Sequence, residues 1–565
     1  MLNSLEIAQK ATPMPIAELA QKLGLLPDEV KPYGRFMGKL GLATLGRLAD
    51  RPDGKLVVVT AITPTPLGEG KTTTAIGLVD GLNRIGVRAA VTLRQPSLGP
   101  IFGIKGGATG GGYAQLLPME QINLHLTGDF HAVAAAHNLA AAFLDNHLHF
   151  GNPLGIDLRT IDWPRVVDMN DRALRSTVIG LGGREGGVPR ETEWNITAAS
   201  EVMAILSLSK DLADLRSRLG RIVLAQTSGG ALVTAEDLKA AGAMAVLLRE
   251  AIEPNLLQTL EGNPALIHTG PFGNIAQGTS SVLADRLGLK LFDLVVTEAG
   301  FGADLGAEKL FDIKLRQSGL RPAAAVLVAT VRALKMHGGA GKVVAGKPLD
   351  PALESENVEA LRRGGENLAK QIENVRTFGV PVVVAINHFP TDTAAEVEAV
   401  REVAQAAGAR ATVVSRHFEE GGRGAEQLAA AVRDAANEGA PDFELLYPDD
   451  WPLVKKVEAI ATRMYGADGL EVQPKAGKQL DALEAMGFRE LPVCMAKTHL
   501  SLSHDPELKG RPRGFKLPVR EARLSAGAGF VTVLAGEIRL MPGLGSRPSG
   551  EGMDLDSDGR IVGLR

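Results

Sequence analysis

Thr60-Ala61-Ile62-Thr63-Pro64-Thr65-Pro66-Leu67-Gly68-Glu69-Gly70-Lys71-Thr72-Thr73-Thr74 is the stretch on which the reading of the fold turns. Before it, the apolar run Leu56 to Ile62 reads as a buried parallel strand. After it, Ile76, Val79 and Leu82 recur at helical spacing, so the stretch is a turn where a strand feeds a helix N-terminus. Such a turn suits phosphate: first-turn N–H groups converge with the positive end of the helix dipole, and Lys71 adds a full charge. The hydroxyl of Thr72 is placed to meet magnesium. Against the pattern Gly-x-x-x-x-Gly-Lys-Ser/Thr, Gly70-Lys71-Thr72 fit, while Thr65 stands at the first glycine. Pro64 and Pro66 stiffen the loop there, which makes it a preset cradle of a variant kind running from Thr65 and Pro66 through Leu67, Gly68 and Glu69 to Thr72. The duller reading is an ordinary glycine-rich turn with a surface lysine; the flanking strand and helix weigh against it.

Working outward, short Val/Ile/Leu runs alternate with helical segments at Leu56–Ile62, Ala89–Leu93, Arg221–Ala225, Ala265–Thr269, Phe292–Thr297, Ala324–Ala329, Val380–Ile386 and Ala411–Ser415. This alternation predicts an α/β chain, a P-loop-type three-layer fold whose mostly parallel sheet is covered by helices on both faces. Residues 1 to about 50 carry helical periodicity and are expected to pack on its edge. The expected division is a nucleotide-binding domain over 1–365 with that N-terminal segment, then two smaller α/β domains, 366–450 and 451–565.

With 61 basic against 65 acidic residues, the chain has no strong field to draw nucleic acid or a membrane surface, so its partners are expected to be small molecules. One cysteine, Cys494, excludes an internal disulfide and a cysteine-rich metal site, and is compatible with a reducing cytoplasm. The N-terminus resembles neither a secretory signal nor a transit peptide, and no run is long and apolar enough to span a bilayer.

In open parallel sheets ligands gather outside the carboxyl ends of the strands, so the residues just past them are the candidates for chemistry. Arg94 closes the strand Ala89–Leu93; its planar fork would clamp a carboxylate or an acyl phosphate, or else form a structural ion pair. Glu298, after Thr297, is a metal or nucleophile-positioning carboxylate with Asp304 as its rival, and either is equally a helix cap. Asp129 reads as the cap of a helix from Phe130, or as a catalytic carboxylate. The glycines of Gly106 to Gly112 leave backbone room for an anion, or form a flexible hairpin. His131 and His137, six apart, do not share a helix face as zinc ligands would. Asp554 to Gly559 imitates a calcium loop, but Arg565 falls where a glutamate is needed, so a hairpin is expected. In a chain with only 4% aromatics, Phe389 and Phe418, both just past strand ends, are core plugs or faces for a flat heterocycle.

These runs together resemble the formate-tetrahydrofolate ligase family: Thr63 to Thr74, Arg94-Gln95-Pro96-Ser97-Leu98-Gly99-Pro100, Gly110-Gly111-Gly112-Tyr113-Ala114-Gln115, Thr297 to Lys309, Val328 to Gly339, Asn387 to Asp392 and Met541-Pro542-Gly543-Leu544. The resemblance covers essentially the whole chain. It implies ligation of formate to tetrahydrofolate, with ATP and Mg2+, through formyl phosphate to 10-formyltetrahydrofolate, ADP and phosphate. It implies that Thr65 to Thr72 and Gly302 bind cofactor, that Lys71 and Arg94 hold the transferring phosphoryl and formyl phosphate, and that Phe389 and Phe418 sandwich the pterin beside Pro390. It also implies a homotetramer stimulated by a monovalent cation. Four residues depart from the family's habit: Gln95 for Glu, Phe418 for Trp, Gln277 for His and Gly273 for Ala.

Two other classes fit the variant phosphate loop: a nucleotide-switched regulatory ATPase and another ATP-dependent carboxylate ligase. A GTP switch is disfavoured, because Asn387-His388-Phe389-Pro390 lacks the acidic residue of a guanine reader.

Overall fold

The computed structural model describes residues 2–103, 109–344 and 348–564. Among these, one twelve-stranded sheet dominates. Its strands are β1 (Val30–Tyr33), β2 (Met37–Leu40), β3 (Lys55–Ala61), β4 (Ala89–Leu93), β5 (Gly110–Gly111), β6 (Ala114–Leu117), β7 (Asn255–Thr259), β8 (Pro264–Ile267), β9 (Leu294–Glu298), β10 (Pro322–Ala329), β11 (Val382–Asn387) and β12 (Ala411–Ser415). Across the sheet they run β1-β2-β7-β8-β4-β9-β3-β10-β11-β12, with β5 on β6 and β6 on β7. From β8 to β12 every pairing is parallel. Helix α1 (Lys71–Arg84) packs on it, α2 (Asp129–His149) packs instead on the helix Ala241–Leu248, and α3 (Val331–His337) packs on α4 (Val358–Arg376), which reaches β10 and β11.

The central strands have no solvent face: Val57, Val58 and Val59 of β3 are fully buried, as are Val295, Val296, Val326 and Leu327 of its neighbours. Each such side chain contributes about 1.5–3 kcal/mol through burial, which is why an unbroken β-branched run, rather than an alternating one, marks this sheet in the sequence. Chain order leaves β3 in both directions, to β4 on one side and β10 on the other. The carboxyl ends of β3, β4, β9, β10, β11 and β12 therefore line one edge, at a topological switch point.

Several expectations change against this architecture. The strand expected at Arg221–Ala225 forms at Val223–Gln226 but pairs with Leu232–Thr234 in a separate ribbon. Residues 30–40, read as helical, instead form the antiparallel edge pair β1 and β2. The sheet runs on across the expected 365/366 boundary, because β11 and β12 extend it from β10. Beyond residue 451 the chain builds its own small sheet from Val493–Ala496, Phe530–Leu534 and Glu521–Ser525. Asp554–Leu555 pairs antiparallel with Ile561–Val562, the hairpin expected there. No described helix is long and apolar enough to cross a membrane.

Candidate active site

The turn between β3 and α1 is held by its own side chains and by distant ones. Glu69 turns inward: its carboxylate accepts from the Thr65 N–H at 2.7 Å and from the Thr330 hydroxyl. Burial raises the Glu69 pKa, opposed by these hydrogen bonds and by the charge of Arg332. The Asn387 amide donates to the Glu69 carbonyl at 3.1 Å. It lies so close to Gly70 that a Cβ there would stand 2.4 Å from Nδ2; Gly70 also takes φ +77° as the cap of α1, so only glycine fits. Positive φ in the loop falls at Gly68 and Gly70, not at Thr65, and this explains how a threonine replaces the first glycine of the pattern. Pro66 is half-buried and Leu67 lies exposed at the tip. Below the loop, His337 donates Nε2–H to the Thr63 carbonyl at 2.8 Å and accepts the Gly510 N–H on Nδ1. With both nitrogens committed and the ring buried, its pKa falls to about 4 and it stays neutral.

No side chain caps the first turn of α1. The N–H groups that open the helix are therefore left to whatever anion enters, next to Lys71. The Thr72 hydroxyl donates to Glu298 Oε2 at 2.6 Å. From β4, Arg94 Nη2 stands 4.0 Å from Glu298 Oε1 while Nη1 donates to the Pro271 carbonyl at 3.2 Å. Burial lowers the Lys71 pKa; Glu298 and Glu69 oppose that shift, and Arg94 reinforces it. Burial likewise lowers Arg94, with Glu298 opposing. Lys71 and Arg94 thus stand near two carboxylates, Glu298 and the inward-turned Glu69, over the open end of a helix.

The aromatic residues leave the sheet beside this group. Asn387 of β11 and Ser415 of β12 are register partners, so Phe389 and Phe418 project from adjacent strand ends. Phe389 is half-buried, Pro390 next to it is exposed, and Phe418 is 45% exposed. The Arg332 guanidinium of α3 lies over the Phe389 ring, 4.1 Å from its centroid. Phe418 rests on the β5–β6 hairpin: the Tyr113 N–H donates to its carbonyl at 2.9 Å, and a Cβ on Gly112 would stand 2.2 Å from that oxygen. Gly111 and Gly112 therefore make room for Phe418 within a hairpin, one of the two readings offered for this cluster; Gly106 and Gly107 lie outside the described residues.

Asp129 is engaged elsewhere. It is the first residue of α2, whose cap is Gly128, which corrects the expected cap at Asp129. Its buried carboxylate pairs with Lys39 at 2.8 Å and accepts from Asn255 at 2.8 Å. Asp304, the rival to Glu298, is buried in an ion pair with Lys497 at 2.9 Å. Gly302 is buried just before the π-helical turn Ala303–Ala307. Gly273 lies against Phe301, where a Cβ would come within 3.1 Å of the ring. Gln95 Oε1 and both amide atoms of Gln277 are buried without hydrogen-bond partners among the described residues. His137 is buried, its Nε2 donating to the Pro164 carbonyl at 2.7 Å.

Sequence reasoning assigned no role to Arg332, His337 or Phe301. Phe301 is the least ordinary of them, with φ +61° and its ring stacked on His499 at 4.4 Å. The available signal was Gly300 and Gly302 on either side of it.

A family model described as "Formate--tetrahydrofolate ligase" matches residues 2–565. Proteins carrying the same description are similar over the full length. That of Roseiflexus sp. (strain RS-1) is 60% identical over 564 residues, covering 100% of both chains. That of Saccharopolyspora erythraea is 58% identical over 563 residues, covering 100% of this chain and 99% of its own. "Formate--tetrahydrofolate ligase 3" of Rubrobacter xylanophilus is 56% identical over 573 residues, covering 100% of both.

Proposed function

Because the chain belongs to the formate-tetrahydrofolate ligase family, we propose that the crevice at the strand ends activates formate with ATP as formyl phosphate and passes the formyl group to tetrahydrofolate. The products are 10-formyltetrahydrofolate, ADP and phosphate. The observation that carries this reading is the meeting of Lys71, Arg94 and Glu298 beside the uncapped end of α1.

Formate is a poor acylating agent until one of its oxygens is bonded to phosphorus. The open amides and Lys71 hold the nucleotide phosphates, and Arg94 holds the formate carboxylate in line. A formate oxygen attacks the terminal phosphoryl group and ADP leaves; Lys71 and Arg94 offset the charge that builds on the transferring oxygens. The folate N10 then attacks the formyl carbon, the carbon–oxygen bond to phosphate breaks, and the amine loses its proton. Thr72 Oγ1 and the Glu298 carboxylate, oxygen donors 2.6 Å apart, suit a small hard cation that keeps most of its ligands from phosphate and water. Magnesium bound there would supply further neutralisation of phosphate charge.

Phe389 and Phe418, on adjacent strand ends, offer faces for the pterin, with Pro390 beside them. Pro66, Leu67, Gly68 and Gly302 take part in shaping the nucleotide side. Asp129, already matched by Lys39, acts as a brace rather than as a catalytic carboxylate. On family resemblance alone we extend the proposal to a cytoplasmic homotetramer stimulated by a monovalent cation.

Incubation with magnesium-ATP, formate and tetrahydrofolate, followed by acidification to the methenyl form, tests the reading. An ultraviolet change that requires all three substrates is expected. ATP turnover indifferent to formate and folate would instead indicate a nucleotide-driven switch.

A further inference from the structure

Arg332 stands between the two halves of this site. It lies in the first turn of α3, directly after β10, the strand between β3 and β11. On one side its charge acts on Glu69, inside the phosphate loop. On the other its guanidinium covers a face of Phe389 at 4.1 Å. Its Nε is buried and has no hydrogen-bond partner among the described residues. A guanidinium with a buried, unmatched donor is held ready for an anion that arrives from outside. Strand order adds a direction: Arg332 follows β10 and Phe418 follows β12, on opposite sides of the β11 end that carries Phe389. The face of Phe389 turned toward Phe418 is then the one left for a flat ligand.

Building on the ligase reading, we propose that Arg332 couples the two subsites: its unpartnered Nε–H takes a terminal phosphate oxygen of the nucleotide while its plane backs Phe389, so that bound ATP fixes the ring on which the pterin stacks. One side chain would thus order the folate subsite only when the phosphoryl donor is present. The coupling is reciprocal, so folate must tighten ATP by the same factor. Both functions need the guanidinium: a lysine supplies the charge but not the plane.

The test measures tetrahydrofolate dissociation with and without a non-hydrolysable magnesium-ATP analogue, for wild type, Arg332→Ala and Arg332→Lys. In the wild type the analogue is expected to tighten folate about 5-fold or more, the lower end of ordinary site–site coupling. In Arg332→Ala the coupling factor falls to one and the analogue itself binds about 10-fold more weakly, the loss of one charge-assisted contact. Arg332→Lys keeps most of the analogue affinity yet loses the coupling; because it preserves charge and bulk, it also guards against misfolding of the alanine variant. A coupling factor that is the same in all three proteins, or absent from the wild type, overturns the inference. A wild type that binds neither nucleotide nor folate would instead overturn the ligase reading on which it rests.

Discussion

Two places near the carboxyl edge of the sheet hold buried charge, and they are built in opposite ways. At Lys39 and Asp129, one ammonium meets one carboxylate at 2.8 Å; Asn255 serves the second carboxylate oxygen, and Lys39 also donates to the Glu253 carbonyl. Nothing is left over. At Lys71, Arg94 and Glu298 the pairing is loose: the Arg94 contact is stretched to 4.0 Å, Thr72 takes one of the Glu298 oxygens, and Glu69, the other carboxylate near Lys71, is held by Thr65 and Thr330. The first group is balanced and packs the edge of the sheet. The second leaves its cations loosely paired beside open helical amides, a condition a phosphorylated acyl anion would relieve. Closeness of pairing, more than burial or the presence of a carboxylate, distinguishes the two groups.

The sharpest way to break the comparison is Lys71→Ala, which removes charge from the loosely paired side. Ligation should fall about 1,000-fold or more, as when a main transition-state contact is lost, with circular dichroism and the melting temperature unchanged. Retained turnover would remove the distinction altogether. Lys39→Met, on the balanced side, should do the reverse. It strands a buried carboxylate, so stability should drop by about 3–5 kcal/mol in denaturant titration, while kcat per folded enzyme changes little. A large fall in kcat with stability intact would restore Asp129 to catalysis. Arg94→Lys keeps the charge but loses the fork and should cost about 100-fold in kcat at saturating ATP. Phe418→Ala should be mildest, raising the folate KM about 5- to 10-fold, near the value of one stacking face, and leaving the ATP KM alone.

How much of this could be read from the chain depended on the range of the forces involved. Strands β4 and β12 have the bounds that the apolar runs suggest, and β3 is displaced by one residue; β3 and β4, buried on both faces, must be apolar throughout, whereas β12 is a half-buried edge strand. The partner of such a run is not encoded in it, so Val223–Gln226 was expected in the main sheet and lies outside it. Asn255–Thr259 escaped notice because it is short and polar at both ends. The places of Lys71, Arg94 and Glu298 were legible: Lys71 opens the helix after β3, Arg94 follows β4 and Glu298 closes β9. Arg332 and His337 were not: what they do depends on Phe389 and on Thr63, the latter 274 residues away in sequence. The missing first glycine was legible as a departure, but its harmlessness came only with the backbone, where Thr65 has no need of positive φ.

The central claim is that the loosely paired cations Lys71 and Arg94 hold formate joined to phosphate. The direct test supplies formate labelled with oxygen-18 in both positions, together with magnesium-ATP and tetrahydrofolate, and weighs the phosphate released. The account predicts one labelled oxygen in each phosphate, because the carbon–oxygen bond breaks when the amine attacks. Phosphate free of label, alongside normal formation of the formylated folate, would contradict it.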